Sequence, residues 1–216
     1  MQLTPAQHDA LSEIANIGAS RSAKQLSLLL DDEIHLSVPE VAIVSVQELP
    51  GAIGVAVTDD VACVYQDMSG CLTGKGRLIF HTHESRILVQ MLVGSVSVLS
   101  GISMQIYEHE AMKELGNIII SVCISAMTDM LGKTTRLSIP MYREGVFEEI
   151  MEEDSGIAGV LVMKTALTAG KRGISGALII TLSLPDIIDL LKSLDNFLAG
   201  YAGQQEKNEH GTSHSG

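Results

Sequence analysis

The chain has 216 residues, a formal net charge of -12 and 46% hydrophobic residues, with only 3% aromatic residues and no tryptophan. That length fits one large domain or two small ones around an aliphatic core, able to fold without a metal or a disulfide frame. The basic residues are scattered, which excludes a stripe that neutralises nucleic-acid phosphates and disfavours an anionic membrane surface.

No uninterrupted apolar run reaches the roughly 20 residues needed to span a bilayer, so no membrane insertion is expected. The start, MQLTPAQHDALSEI, lacks the basic opening and apolar middle of a secretion signal, and the expected location is cytoplasmic. Cys63, Cys71 and Cys123 are odd in number and widely spaced, and read as small buried hydrophobes.

In chain order, residues 4 to 30 carry a helical face of Leu11, Ile14, Ala15, Gly18, Ser22, Leu26 and Leu29, and Thr4-Pro5 opens the helix. Runs rich in β-branched residues then predict strands over Ile34–Val38, Val41–Val46, Ile53–Val57, Val61–Gln66 and Leu72–His81. A helix over about Glu84–Leu92 closes the first half. Residues 107 to 131 are helical again, with Met112, Leu115, Ile119, Val122 and Ala126 on one face. Strands are predicted near 135–139, 157–168 and 173–183, and Pro185 opens a last helix ending near Ala199. From 204 to 216 the sequence has nothing to bury and is expected to be a disordered tail.

The two halves are copies of one plan. An offset of 101 residues superposes Glu13 on Glu114, Asn16 on Asn117, Ile17 on Ile118, Ser20 on Ser121, and LSVP, ending at Pro39, on LSIP, ending at Pro140. The expected architecture is an α/β (α+β) sandwich. Two repeats, about 4–99 and 105–199, related by a pseudo-two-fold axis, share one mostly antiparallel sheet in a single domain over 1–203.

On each long helix, polar residues fall opposite the apolar face. Asp9, Glu13 and Asn16 make one stripe, and Glu110, Glu114 and Asn117 repeat it. A carboxylate that can hold a cation stands one turn from a carboxamide that both donates and accepts hydrogen bonds. For one helix alone such residues are ordinary solvated surface. Asparagine is a poorer helix former than Glu, Lys or Ala, so its recurrence mid-helix in both copies calls for a reason.

DALSEIANIGAS and EAMKELGNIIIS resemble the two active-site helices of the CheC family of chemotaxis phosphatases, relatives of CheX and FliY. The family signature is Asp or Ser, three residues, Glu, two residues, Asn, twenty-two residues, Pro. Asp9, Glu13, Asn16 and Pro39 match it in full, and Glu110, Glu114, Asn117 and Pro140 depart from it only at the first position. The resemblance covers roughly residues 3 to 195, and two signatures in one chain favour CheC over CheX. It implies hydrolysis of the aspartyl phosphate of a CheY-type response regulator. Asn16 and Asn117 would orient the attacking water, and Glu13 and Glu114 would pair with a lysine of the regulator. Asp9 and Glu110 would support docking, and Pro39 and Pro140 would shape strand edges. No cofactor of the chain's own is implied, since magnesium comes with the regulator. CheD, a receptor deamidase, is a partner of some family members. The rival reading is a noncatalytic adaptor that binds the phosphorylated regulator or CheD.

Other motifs carry less. His81 and His83 would share one face of a strand, but no third ligand has matching spacing. Ser100 and Ser121 have no placed histidine, which leaves a serine hydrolase unsupported. GCLTGKGRL and TAGKRGISG each contain Gly-Lys without the phosphate-loop pattern and read as hairpin turns.

Overall fold

The computed structural model describes residues 3–30, 33–93, 104–152, 159–169 and 172–211. Their elements run α1 (Pro5–Leu30), β1 (Ile34–Leu36), β2 (Glu40–Val44), α2 (Leu49–Ile53), β3 (Asp60–Gly70), β4 (Gly74–His81) and α3 (Thr82–Val93). The same order follows in α4 (Met104–Met130), β5 (Thr135–Leu137), β6 (Met141–Val146), α5 (Phe147–Met151), β7 (Gly159–Ala169), β8 (Arg172–Leu182) and α6 (Leu184–Gly211).

Local chemistry starts the first helix. Thr4 Oγ1 accepts from the Gln7 backbone N–H at 3.2 Å, and Gln7 Oε1 accepts from the Thr4 N–H at 3.0 Å, a reciprocal cap. Gln7 also donates to Asp195 at 2.8 Å, tying α1 to α6.

The sheet has eight strands in the path β1-β7-β8-β4-β3-β5, with β2 also on β7 and β6 also on β3. Every described pairing is antiparallel. Exchanging β1 with β5, β2 with β6, β3 with β7 and β4 with β8 reverses this path onto itself. The short strands that follow α1 therefore pair with β7 of the other half, and those that follow α4 pair with β3.

Strand alternation separates two cores. On β3, Val64 and Met68 face one core, shared with Leu11 and Ile14 of α1, Met112 and Leu115 of α4, Leu88 of α3 and Leu190 of α6. Val61 and Cys63 face the other, under Leu49 and Ile53 of α2 and Phe147 and Ile150 of α5. Four long helices thus cover one face of the sheet and two short ones the other. The stretch Glu108–Met130 of α4 is apolar and long enough to cross a membrane, but over half of it is buried inside this fold.

Three segments differ from the sequence-based expectation. Ile53–Val57 is not a strand: α2 ends at Ile53, with Pro50 in its first turn and Gly54 closing it in the left-handed region at φ 78°. The proline and glycine that bracket this stretch outweigh its β-branched residues. β6 and α5 occupy Met141–Met151, where short runs broken by charged residues gave no periodic signal. α6 continues through Gly211, into the stretch read as a disordered tail. Gln204, Gln205, Glu206 and Lys207 are good helix formers and prolong a helix already nucleated by packing. Residues 212–216, and the join between repeats at 94–103, lie outside the described residues.

Cys63 and Cys123 are buried and Cys71 is half-buried, and no disulfide joins them. The β3–β4 turn within GCLTGKGRL carries Gly70 and Gly74 at φ 117° and 156°. β7 and β8 pair up to Ala169 and Arg172, with the tip of TAGKRGISG, at 170 and 171, outside the described residues. His81 ends β4 and His83 lies in α3, so the two share no strand face, although their rings stack with centroids 5.6 Å apart. Ser100 lies outside the described residues, and Ser121 turns its hydroxyl back to the Asn117 carbonyl of its own helix.

Candidate active site

α1 and α4 lie side by side on the sheet. An added Cβ on Gly18 would stand 3.1 Å from both Cα and Sγ of Cys123, so the helices touch nearly backbone to backbone. α4 also presses on β3: a Cβ on Gly116 would fall 2.3 Å from Cγ1 of Val64, and only glycine permits that approach.

This packing turns the two polar stripes outward. Asp9, Glu13, Glu110 and Glu114 are exposed, whereas Asn16 and Asn117 are half-buried at the foot of each stripe. Asp9 stands 3.7 Å from His8, and Glu110 is held by Lys113 at 2.8 Å. Neither Glu13 nor Glu114 has an ion-pair partner among the described residues. Two carboxylates are thus left open for a cation from elsewhere. Pro39 is buried and Pro140 half-buried, each just before the strand that follows its repeat phrase.

The recurring LSVP and LSIP have a common structural task. In the second copy, the Ser138 N–H donates to the Asp67 carbonyl at 2.9 Å, and its Oγ accepts from the Asp67 N–H at 3.0 Å. In the first, Ser37 makes the same pair of bonds with Ala166, both at 2.9 Å. Each serine locks its loop to a strand of the other half. The next residues, Val38 and Ile139, are left 67% and 78% exposed, large aliphatic side chains facing water.

Sequence reasoning missed one residue beside the site. Gln66 of β3 is 2% exposed, and its Nε2 donates to Asn117 Oδ1 at 3.2 Å and to the Ser138 carbonyl at 2.7 Å. A signal existed: in Ala62, Val64, Gln66 and Met68, the positions of β3 that face the long helices, Gln66 is the polar member.

A CheC-like family model matches residues 7–43, a span that holds the first signature from Asp9 to Pro39. The chain is 28% identical over 148 residues to the CheY-P phosphatase CheC of Bacillus subtilis (strain 168), covering 68% of this chain and 70% of that one. It is 24% identical over 140 residues to CheC1 of Halobacterium salinarum (strain ATCC 29341 / DSM 671 / R1), covering 65% and 70%. The crystal structure of Thermotoga maritima FliY shares the fold with a TM-score of 0.70 at 21% identity, over 93% of this chain and 99% of that one. The family model over the first signature and these two relatives thus agree in making the chain similar to the CheC-like family, and its fold is shared with FliY.

Proposed function

We propose that the chain hydrolyses the aspartyl phosphate of a CheY-type response regulator. The carrying observation is the pair of outward-facing Glu/Asn combinations, Glu13 with Asn16 and Glu114 with Asn117, at one spacing on two adjacent helices. The similarity to a protein named CheY-P phosphatase supports the substrate class.

The reaction asks little of the enzyme. An acyl phosphate has a good carboxylate leaving group, and the magnesium that neutralises its oxygens comes with the regulator as part of the substrate. A water placed in line attacks phosphorus and the bond from phosphorus to the aspartyl oxygen breaks. Inorganic phosphate leaves carrying the water's oxygen and both its hydrogens, and the aspartate becomes a free carboxylate. Asn16 or Asn117 holds that water in line through its carboxamide, and fixing the attack geometry supplies the rate. Glu13 and Glu114, with no partners in the described chain, pair with a lysine beside the phosphoaspartate and set the docking register.

The test follows decay of the magnesium-loaded, phosphorylated regulator with wild type and with the double variant Asn16→Ala/Asn117→Ala. The expected result is that the double variant still binds the regulator but leaves its phosphate to decay at the regulator's own rate. Equal decay with wild type and variant would overturn the catalytic reading in favour of an adaptor that signals by occupancy.

A further inference from the structure

The geometry points to Gln66 as a positioning residue that tethers the second site's carboxamide and makes the two sites unequal, an inference that rests on the phosphatase reading above. The amide assignments follow from the partners. The Ser138 carbonyl can only accept, so Gln66 must present Nε2 to it at 2.7 Å. The second hydrogen of that nitrogen then points to Asn117, which must offer its oxygen, 3.2 Å away. One side chain thus fixes the rotamer of Asn117 and links it to the loop that carries Ile139 and Pro140.

The first site has no such tether. The registers Met68↔Leu137 and Leu36↔Leu167 make Thr165 of β7 the counterpart of Gln66, since Leu36 and Leu137 are equivalent in the repeat. Thr165 Oγ1 donates to the Ser37 carbonyl at 2.9 Å, as Gln66 does to Ser138. Its short side chain ends there. Asn16 has no side-chain hydrogen bond among the described residues.

Gln66 also carries a cost. Its Oε1 is buried and has no partner among the described residues, a loss that a threonine, as in the other copy, would avoid. What the glutamine adds over threonine is its reach to Asn117. A carboxamide already held in one rotamer loses less freedom when it captures the attacking water, so the second site turns over faster once the regulator has docked.

The test places Gln66→Thr, which copies Thr165, in an Asn16→Ala background that leaves only the second site. The kcat is expected to fall about two- to tenfold, the factor set by immobilising one side chain, with KM unchanged. The reciprocal Thr165→Gln in an Asn117→Ala background is expected to raise the kcat of the first site. An unchanged kcat for Gln66→Thr in the Asn16→Ala background overturns the inference. So does a fall of the same factor when Gln66→Thr is placed in the Asn117→Ala background. A readout independent of hydrolysis separates this from the phosphatase reading: 15N relaxation of the side-chain amides should show Asn117 more ordered than Asn16, and Gln66→Thr should remove the difference. Equal mobility in the wild type refutes the tether whatever the activity, whereas ordered Asn117 without any hydrolysis refutes only the enzymatic reading.

Discussion

The Ser22 hydroxyl and the Cys123 thiol meet 3.8 Å apart between α1 and α4, at positions separated by 101 residues, the offset that also separates Pro39 from Pro140. Equivalent positions of the two copies touch each other here, on the two helices that carry the exposed Glu13 and Glu114.

The burial of Cys123 at this contact makes stability fall in alkali. Burial pushes the Cys123 thiol up from 9.0 to about 11, with the Ser22 hydrogen bond pulling weakly the other way. The folded state therefore keeps a proton that the unfolded chain releases. Its contribution is intact below pH 9 and is lost as pH rises toward 11, up to about 3 kcal/mol. Tyr142 is also raised, first by burial and then by Glu144, and adds to the loss at still higher pH. Denaturant midpoints of wild type should drop more steeply between pH 9 and pH 11 than those of Cys123→Ala.

Gly116→Ala should be destabilising. Its methyl would sit 2.3 Å from Val64 Cγ1, and overpacking of this kind costs about 1 to 3 kcal/mol. Val64→Ala in the same chain should recover part of that loss in a double-mutant cycle. Because Asn117 adjoins Gly116, the single variant should also slow the second site when assayed in an Asn16→Ala background.

Glu13 and Glu114 should govern docking rather than the chemical step. Glu13→Gln/Glu114→Gln is expected to raise KM for the phosphorylated regulator roughly 10- to 100-fold at low salt, with the gap to wild type narrowing as salt rises. Glu110 differs because Lys113 already holds it at the surface, so Glu110→Ala should change unfolding free energy by less than about 1 kcal/mol.

Ile139 adjoins Ser138, whose carbonyl shares the Gln66 amide with Asn117, and is 78% exposed. Ile139→Asp should weaken regulator binding, read by titration, while leaving the thermal midpoint within about 1 °C, since surface changes away from the core cost little. A large loss of thermal stability with unchanged binding would count against a role in docking.

Much of this protein could be read without coordinates. Periodicity in residues 4–30 and 107–131 placed both long helices, and β-branched runs placed most of the strands, because burial of one face writes itself into local spacing. The recurrence of Glu, Asn and Pro at one offset pointed to the candidate site, since a duplicated unit keeps its spacing. Ile53–Val57 misled because Pro50 and Gly54 decide a short segment more firmly than β-branching does.

Other relationships required the folded chain. That β1 and β2 pair with β7 while β5 and β6 pair with β3, that Gly116 lets α4 settle on Val64, and that Gln66 reaches Asn117 across 51 residues all arise between segments remote in sequence. A hydrophobic pattern states which face of an element is buried but not which element buries it, and a lone glutamine in a strand shows its use only when packing sets another residue within 3.2 Å.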